Sequence, residues 1–105
     1  LVWSLEFLNQ IRNASQENDI YGAITSALYF RNTIGEFVAY LNKKHYTSHI
    51  FRSLKEAESF DILPDKFFEL MYTLGASNDL NIIYKSALEL WENCLNLAKN
   101  NNINI

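Results

Sequence analysis

An all-α fold, a compact bundle of four to five mostly antiparallel helices, is predicted by three features of the sequence. Its 105 residues include only one Pro and three Gly, too little turn punctuation for an all-β chain. Apolar residues recur at helical spacing along most of the chain. The pattern is most regular between residues 20 and 42, where Ala23, Ala27, Phe30, Ile34, Phe37 and Leu41 step by four, three, four, three and four. A hydrophobic share of 49% beside 20% charged residues supplies an ordinary globular core. A chain of this length buries roughly two thirds of its unfolded surface, enough to fold without disulfide or metal. No linker or internal repeat divides it, so residues 1–105 are expected to form one domain.

The first helix is expected over Val2 to Ala14, with Leu5, Leu8 and Ile11 inward and Phe7 and Ala14 beside them. A polar turn follows, and Asp19 is placed to cap the second helix, which runs to about Asn42. Its seam has the period of helices packed side by side in a bundle, and Ile24, Leu28 and Val38 are expected to widen it. Gly35 weakens the helix unless it serves a close helix contact. Thr47 or Ser48 caps a shorter helix from His49 to Phe60, with Ile50, Phe51, Leu54 and Ala57 inward.

Pro64 is read in the first turn of a fourth helix carrying Phe67, Phe68, Leu70, Met71 and Leu74, which Gly75 closes. Asn78 or Asp79 opens the last helix, extending to about Lys99. One stripe of it holds Leu80, Ile83, Ala87, Leu90, Cys94 and Leu97; the adjacent one holds Tyr84, Leu88, Trp91, Leu95 and Ala98. Leu74-Gly75, Ala87, Trp91 and Cys94 fall at tetratricopeptide-like offsets, but the turn of such a repeat would interrupt the last helix at residues 82–84. A repeat is therefore rejected.

Composition narrows the function. A net charge of −3 argues against wholesale nucleic-acid binding. The single cysteine suits a reducing, cytoplasmic setting, and no apolar run reaches the roughly 18 residues that cross a bilayer. His45 and His49 straddle a helix start rather than share a face, so no metal site is expected. Cys94 lies on an apolar stripe, where cysteine acts as a small hydrophobe rather than a nucleophile. Glu56 with Glu58, and Glu89 with Glu92, have the spacing of solvated acids on a polar helix face. No phosphate loop or nucleophile elbow is present, so no cofactor and no enzymatic activity are expected.

Charge is segregated. Lys43, Lys44, Arg52 and Lys55 fall in a stretch without acids, and residues 56–69 reverse the balance. The basic stretch, with Tyr46 for stacking, would suit a phosphate or RNA backbone. The plainer explanation is dipole complementation and solvated surface.

From Ile20 to Lys99 the chain resembles the HEPN class of helical bundles. These domains pair with nucleotidyltransferases in prokaryotic toxin–antitoxin systems or act as RNases. The similar segments are the small-residue helix start Tyr21-Gly22-Ala23-Ile24-Thr25-Ser26-Ala27, the segment Ser48-His49-Ile50-Phe51-Arg52-Ser53-Leu54, the connection Ile62-Leu63-Pro64 and the closing Ser86-Ala87-Leu88-Glu89-Leu90. Active members carry an Arg followed about four to six residues later by His. No Arg here has a His at that distance, and the corresponding region reads Asn78-Asp79-Leu80-Asn81-Ile82-Ile83. The resemblance therefore implies a non-catalytic member.

The expected function is a non-enzymatic interaction module that binds a protein partner or its own copy. Its interface would draw on Tyr21, Tyr29, Tyr40 and Tyr72, because tyrosine is enriched at interfaces. The alternative is an RNA- or nucleotide-binding accessory domain that uses residues 43–55.

Overall fold

The computed structural model describes residues 2–43 and 53–102. Five helices follow one another: α1 (Val2–Gln16), α2 (Ile20–Leu41), α3 (Ser53–Ala57), α4 (Phe67–Ala76) and α5 (Leu80–Asn100), with no strand among the described residues. The all-α bundle expected from the sequence is the fold observed.

Two antiparallel hairpins, α1–α2 and α4–α5, make up the bundle. Ser4 of α1 meets Thr33 of α2, and Phe7 stacks on Tyr29 at 5.4 Å between ring centroids. At the far end of the other hairpin, Lys66 pairs with Glu89 at 3.4 Å and the Asn93 side-chain amide donates to the Asp65 carbonyl at 2.9 Å. The two tight connections lie side by side, bringing the N-termini of α2 and α5 to one end. One buried cluster runs through all five helices, built around Ile11, Phe30, Ile34, Val38, Ile83 and Leu90.

Local chemistry explains the helix ends. The Asp19 carboxylate accepts from the Gly22 amide at 2.9 Å, and a Cβ at position 22 would run into that carboxylate. Asp79 caps α5, accepting from the amides of Asn81 and Ile82 at 2.9 and 3.1 Å. Replacing Asp79 with Ala leaves two first-turn donors without that acceptor and is expected to cost about 1 kcal/mol by urea unfolding, whereas Asp79→Ser retains most of it. α1 runs on past Ala14 to Gln16 and closes with Asn18 at φ 57°, the Asp19 amide reaching back to the Ala14 carbonyl at 2.8 Å.

Several expectations are corrected. Leu5 is 44% exposed and Ser4 takes its inward place, because its hydroxyl donates to Thr33 Oγ1 at 2.7 Å. The Thr33 hydroxyl donates in turn to the Phe30 carbonyl at 2.9 Å, so the buried polar pair is satisfied. Ile24 and Leu28 are exposed, whereas Val38 is buried. α1 packs on the Thr33 side of α2 and α4 on the Arg31 side, which leaves the sector holding Ile24 and Leu28 to solvent.

Pro64 precedes α4 rather than opening it. Its carbonyl accepts from the Phe67 amide at 3.2 Å, and Lys66 at φ 56° breaks the helical path between them. Gly75 lies inside α4, not at its end; α4 closes through the Ser77 amide to the Thr73 carbonyl at 2.9 Å. The third helix ends at Ala57 rather than Phe60, and residues 58–60 continue as tight turns bonded three residues back. Residues 49–52, with Ile50 and Phe51, lie outside the described residues, as does the Thr47-Ser48 cap.

The last helix follows its expectation more closely. Ile83, Ala87, Leu90 and Cys94 are fully buried, and the second stripe, Tyr84, Leu88, Trp91 and Leu95, is half-buried beside them. α5 runs unbroken through residues 82–84, where a tetratricopeptide turn would fall.

Candidate functional site

Among the described residues, α2 carries more exposed large apolar side chains than any other helix. Tyr21 (81% exposed) and Tyr40 (69%) stand at its two ends, and Ile24, Leu28 and Tyr29 lie between them. Tyr29 lies against Phe7 of α1, and Trp3, one turn before Phe7 on the same face, is also exposed. On α4, Tyr72 (73%) and Phe68 are open to solvent. The four tyrosines expected at an interface are thus all exposed. Three of them lie along one helix.

Where α2 passes α4, Arg31 is held in a fixed pose. Its Nε–H donates to the Met71 carbonyl at 2.9 Å. A Cβ at position 75 would stand 2.9 Å from the guanidinium carbon, so Arg31 in this pose lies over the bare face of Gly75. Burial lowers the pKa of this guanidinium below the ordinary arginine value. Sequence reasoning passed over Arg31, yet a signal was present. Positions 27, 28, 34 and 35, three and four residues away, are Ala, Leu, Ile and Gly, so no helical neighbour can neutralise it.

The basic stretch is only partly in view. Lys43 is exposed at φ 54° just beyond α2, and Lys55 pairs with Glu58 at 3.1 Å. Lys44, Tyr46 and Arg52, with His45 and His49, lie outside the described residues. Among the described residues no group of three or more His, Cys, Asp or Glu side chains could hold a metal ion. No described helix is long and apolar enough to cross a membrane.

Two clefts are lined by described residues alone. The larger, about 600 Å³, lies between the α1–α2 and α4–α5 turns and is lined by Ser15, Asn18, Ile20, Asn78, Leu80 and Asn81, with the capping Asp79. The smaller, about 100 Å³, lies by Pro64, Asp65 and Asn93. Neither is lined by a histidine, cysteine or lysine, and Asp79 is already committed to the α5 cap.

Cys94 is fully buried, and burial pushes its thiol from an ordinary 9.0 up to about 12. The unfolded chain therefore releases this proton near pH 9 while the folded chain keeps it. The stability contributed is complete below about pH 9 and is lost as the pH rises toward about 12, at about 1.4 kcal/mol per unit. Urea midpoints of the protein and of Cys94→Ala should accordingly converge by about 1 kcal/mol between about pH 8.5 and 10. A constant difference would mean that the thiol is not protected.

The model of the KNTase C-terminal domain family matches residues 2–104. The chain belongs to that family. The KNTase C-terminal domain is a helical C-terminal domain of nucleotidyltransferases, so the resemblance drawn from the sequence holds in part: HEPN is a related helical fold, though not the family itself. No curated protein and no solved structure matches the chain. The link to nucleotidyltransferases was reached from sequence through a neighbouring class, because small-residue helix starts and aliphatic connections are shared by many bundles.

Proposed function

We propose that this KNTase C-terminal domain is a non-catalytic docking module whose α2 and α4 faces bind a protein partner, and that the partner is a nucleotidyltransferase catalytic domain. One observation carries this: Tyr21, Leu28, Tyr40 and Tyr72, together with Trp3 of α1, are more than half exposed on adjoining helices. Aromatic and large aliphatic side chains in that number are costly to leave in water and supply most of the energy of protein interfaces. Family membership supports the choice of partner. The lone, buried Cys94 suits the cytoplasm.

Self-association is the second form of the same reading, and light scattering over a concentration series separates the two. A chain that stays monomeric alone and forms a complex with the catalytic domain supports the hetero-partner. A dimer that persists at high salt supports self-pairing through the tyrosines. If neither mixture nor concentration raises the mass, the docking role is lost. RNA contact through Lys43, Lys44, Arg52 and Lys55 has a different signature, a steep fall of affinity with salt. It is abandoned if reversing Lys43, Lys44 and Arg52 to Glu leaves RNA affinity unchanged.

A further inference from the structure

Arg31 is oriented but has no ion-pair partner among the described residues. The Met71 carbonyl takes its Nε–H, and the space over Gly75 holds the rest of the guanidinium, with the terminal nitrogens 3.0 and 3.2 Å from where a Cβ would stand. The side chain is half-buried. The ion pairs among the described residues are Lys55–Glu58 and Lys66–Glu89, so none reaches Arg31. Residues 1, 44–52 and 103–105, outside the described ones, contain no Asp or Glu. Its remaining N–H groups therefore present an uncompensated, planar, doubly donating edge. A charge held this way is unfavourable in the free chain and is relieved by an incoming oxyanion.

The surroundings indicate which oxyanion. Leu28 and Ile24 precede Arg31 by three and seven residues and share its face of α2. Phe68 and Tyr72 precede Gly75 by seven and three residues and share its face of α4. All four are exposed, so the guanidinium stands between two apolar stripes. Arg31 is also the only basic residue of α2, and α4 has none. A phosphate carrying two charges calls for several cations or a cluster of amides. A single carboxylate set in an apolar surface does not.

We propose that Arg31 is the anchor of the docking face and receives an Asp or Glu side chain of the protein partner in a forked pair, with Ile24, Leu28, Phe68 and Tyr72 packing around it. This rests on the docking function above. Arginines surrounded by apolar contacts that exclude water carry a large share of binding energy at interfaces.

The anchor can be tested on the free chain. The side-chain Nε–H signal of Arg31 is followed by NMR while sodium acetate replaces sodium chloride at constant ionic strength, with exposed Arg12 as internal reference. Inorganic phosphate forms a second arm. The expected result is a saturating shift at Arg31 with acetate while Arg12 stays on the chloride baseline. Gly75→Ala, which pushes a methyl into the guanidinium, should abolish the saturating response in a chain whose amide spectrum remains folded. An Arg31 signal that only tracks Arg12, or that saturates with phosphate alone, overturns the assignment. Because no partner is present, a silent Arg31 beside intact partner binding removes the anchor only. A responsive Arg31 with no partner binding removes the docking function instead.

Discussion

Phe30→Ala is expected to destabilise the bundle by about 3–5 kcal/mol, a large part of the 5–15 kcal/mol that holds a typical domain together. Phe30 is fully buried at the middle of α2, and the core cluster that surrounds it draws on α1, α4 and α5 as well. No single helix can close the gap without leaving another. The ring has no polar atom, so the loss is transfer free energy plus a cavity that rigid neighbours cannot fill. In urea the midpoint should fall with the slope unchanged. Phe30→Leu keeps most of the volume and should lose about 1 kcal/mol. A change below about 1 kcal/mol for Phe30→Ala would mean that the helices are not packed around this position.

Asn42→Ala should cost about 2–3 kcal/mol, more than any other polar side chain described. The Asn42 amide donates to the Val38 carbonyl at 2.8 Å and to the Ile62 carbonyl at 2.7 Å, and its oxygen accepts from the Ile62 amide at 2.9 Å. One side chain thus imitates a strand edge and clips the loop after α3 to the end of α2. Removing it strands both backbone groups of Ile62 in a part-buried position. Asn42→Asp keeps the acceptor, loses both donations and puts a negative charge at the negative end of the α2 dipole, so it should fall no better than midway. Hydrogen exchange gives the local readout: protection at the Ile62 amide should disappear in Asn42→Ala and persist in part in Asn42→Asp, which keeps its acceptor, while that of α5 follows only global stability.

The parts of this fold that were legible in the sequence are those whose chemistry is local. Asp19 and Asp79 act on amides two or three residues ahead, so a cap is visible in the string of residues itself. The seam of α2 and the inner stripe of α5 follow from period alone, and Ala23, Ala27, Phe30, Ile34, Ile83 and Leu90 lie where the period puts them. Other features depend on what faces them. Ser4 displaces Leu5 from the interior because Thr33, 29 residues away, completes its hydroxyl. Ile24 and Leu28 look like core from their composition, and only the positions of α1 and α4 leave them in water. Gly75 has the look of a helix stop, but its meaning comes from Arg31, on a helix it never neighbours in sequence.

The candidate site divides the same way. The tyrosines were legible because five helices of this size cannot bury so many large rings. Arg31 was legible only as a charge with no neutralising helical neighbour, because its support from Met71 arises only when α2 meets α4. The basic stretch around Lys43 and Lys55 stood out as a charge run, yet Lys55 already has a partner in Glu58.

Titration of the chain into a nucleotidyltransferase catalytic domain of the same organism, followed by calorimetry at low and high salt, tests the docking function most directly. The expected result is saturable binding that changes little with salt and weakens at least about tenfold in a Leu28→Ser/Tyr72→Ser variant that remains folded. No heat of binding, or an affinity indifferent to that double substitution, would contradict it.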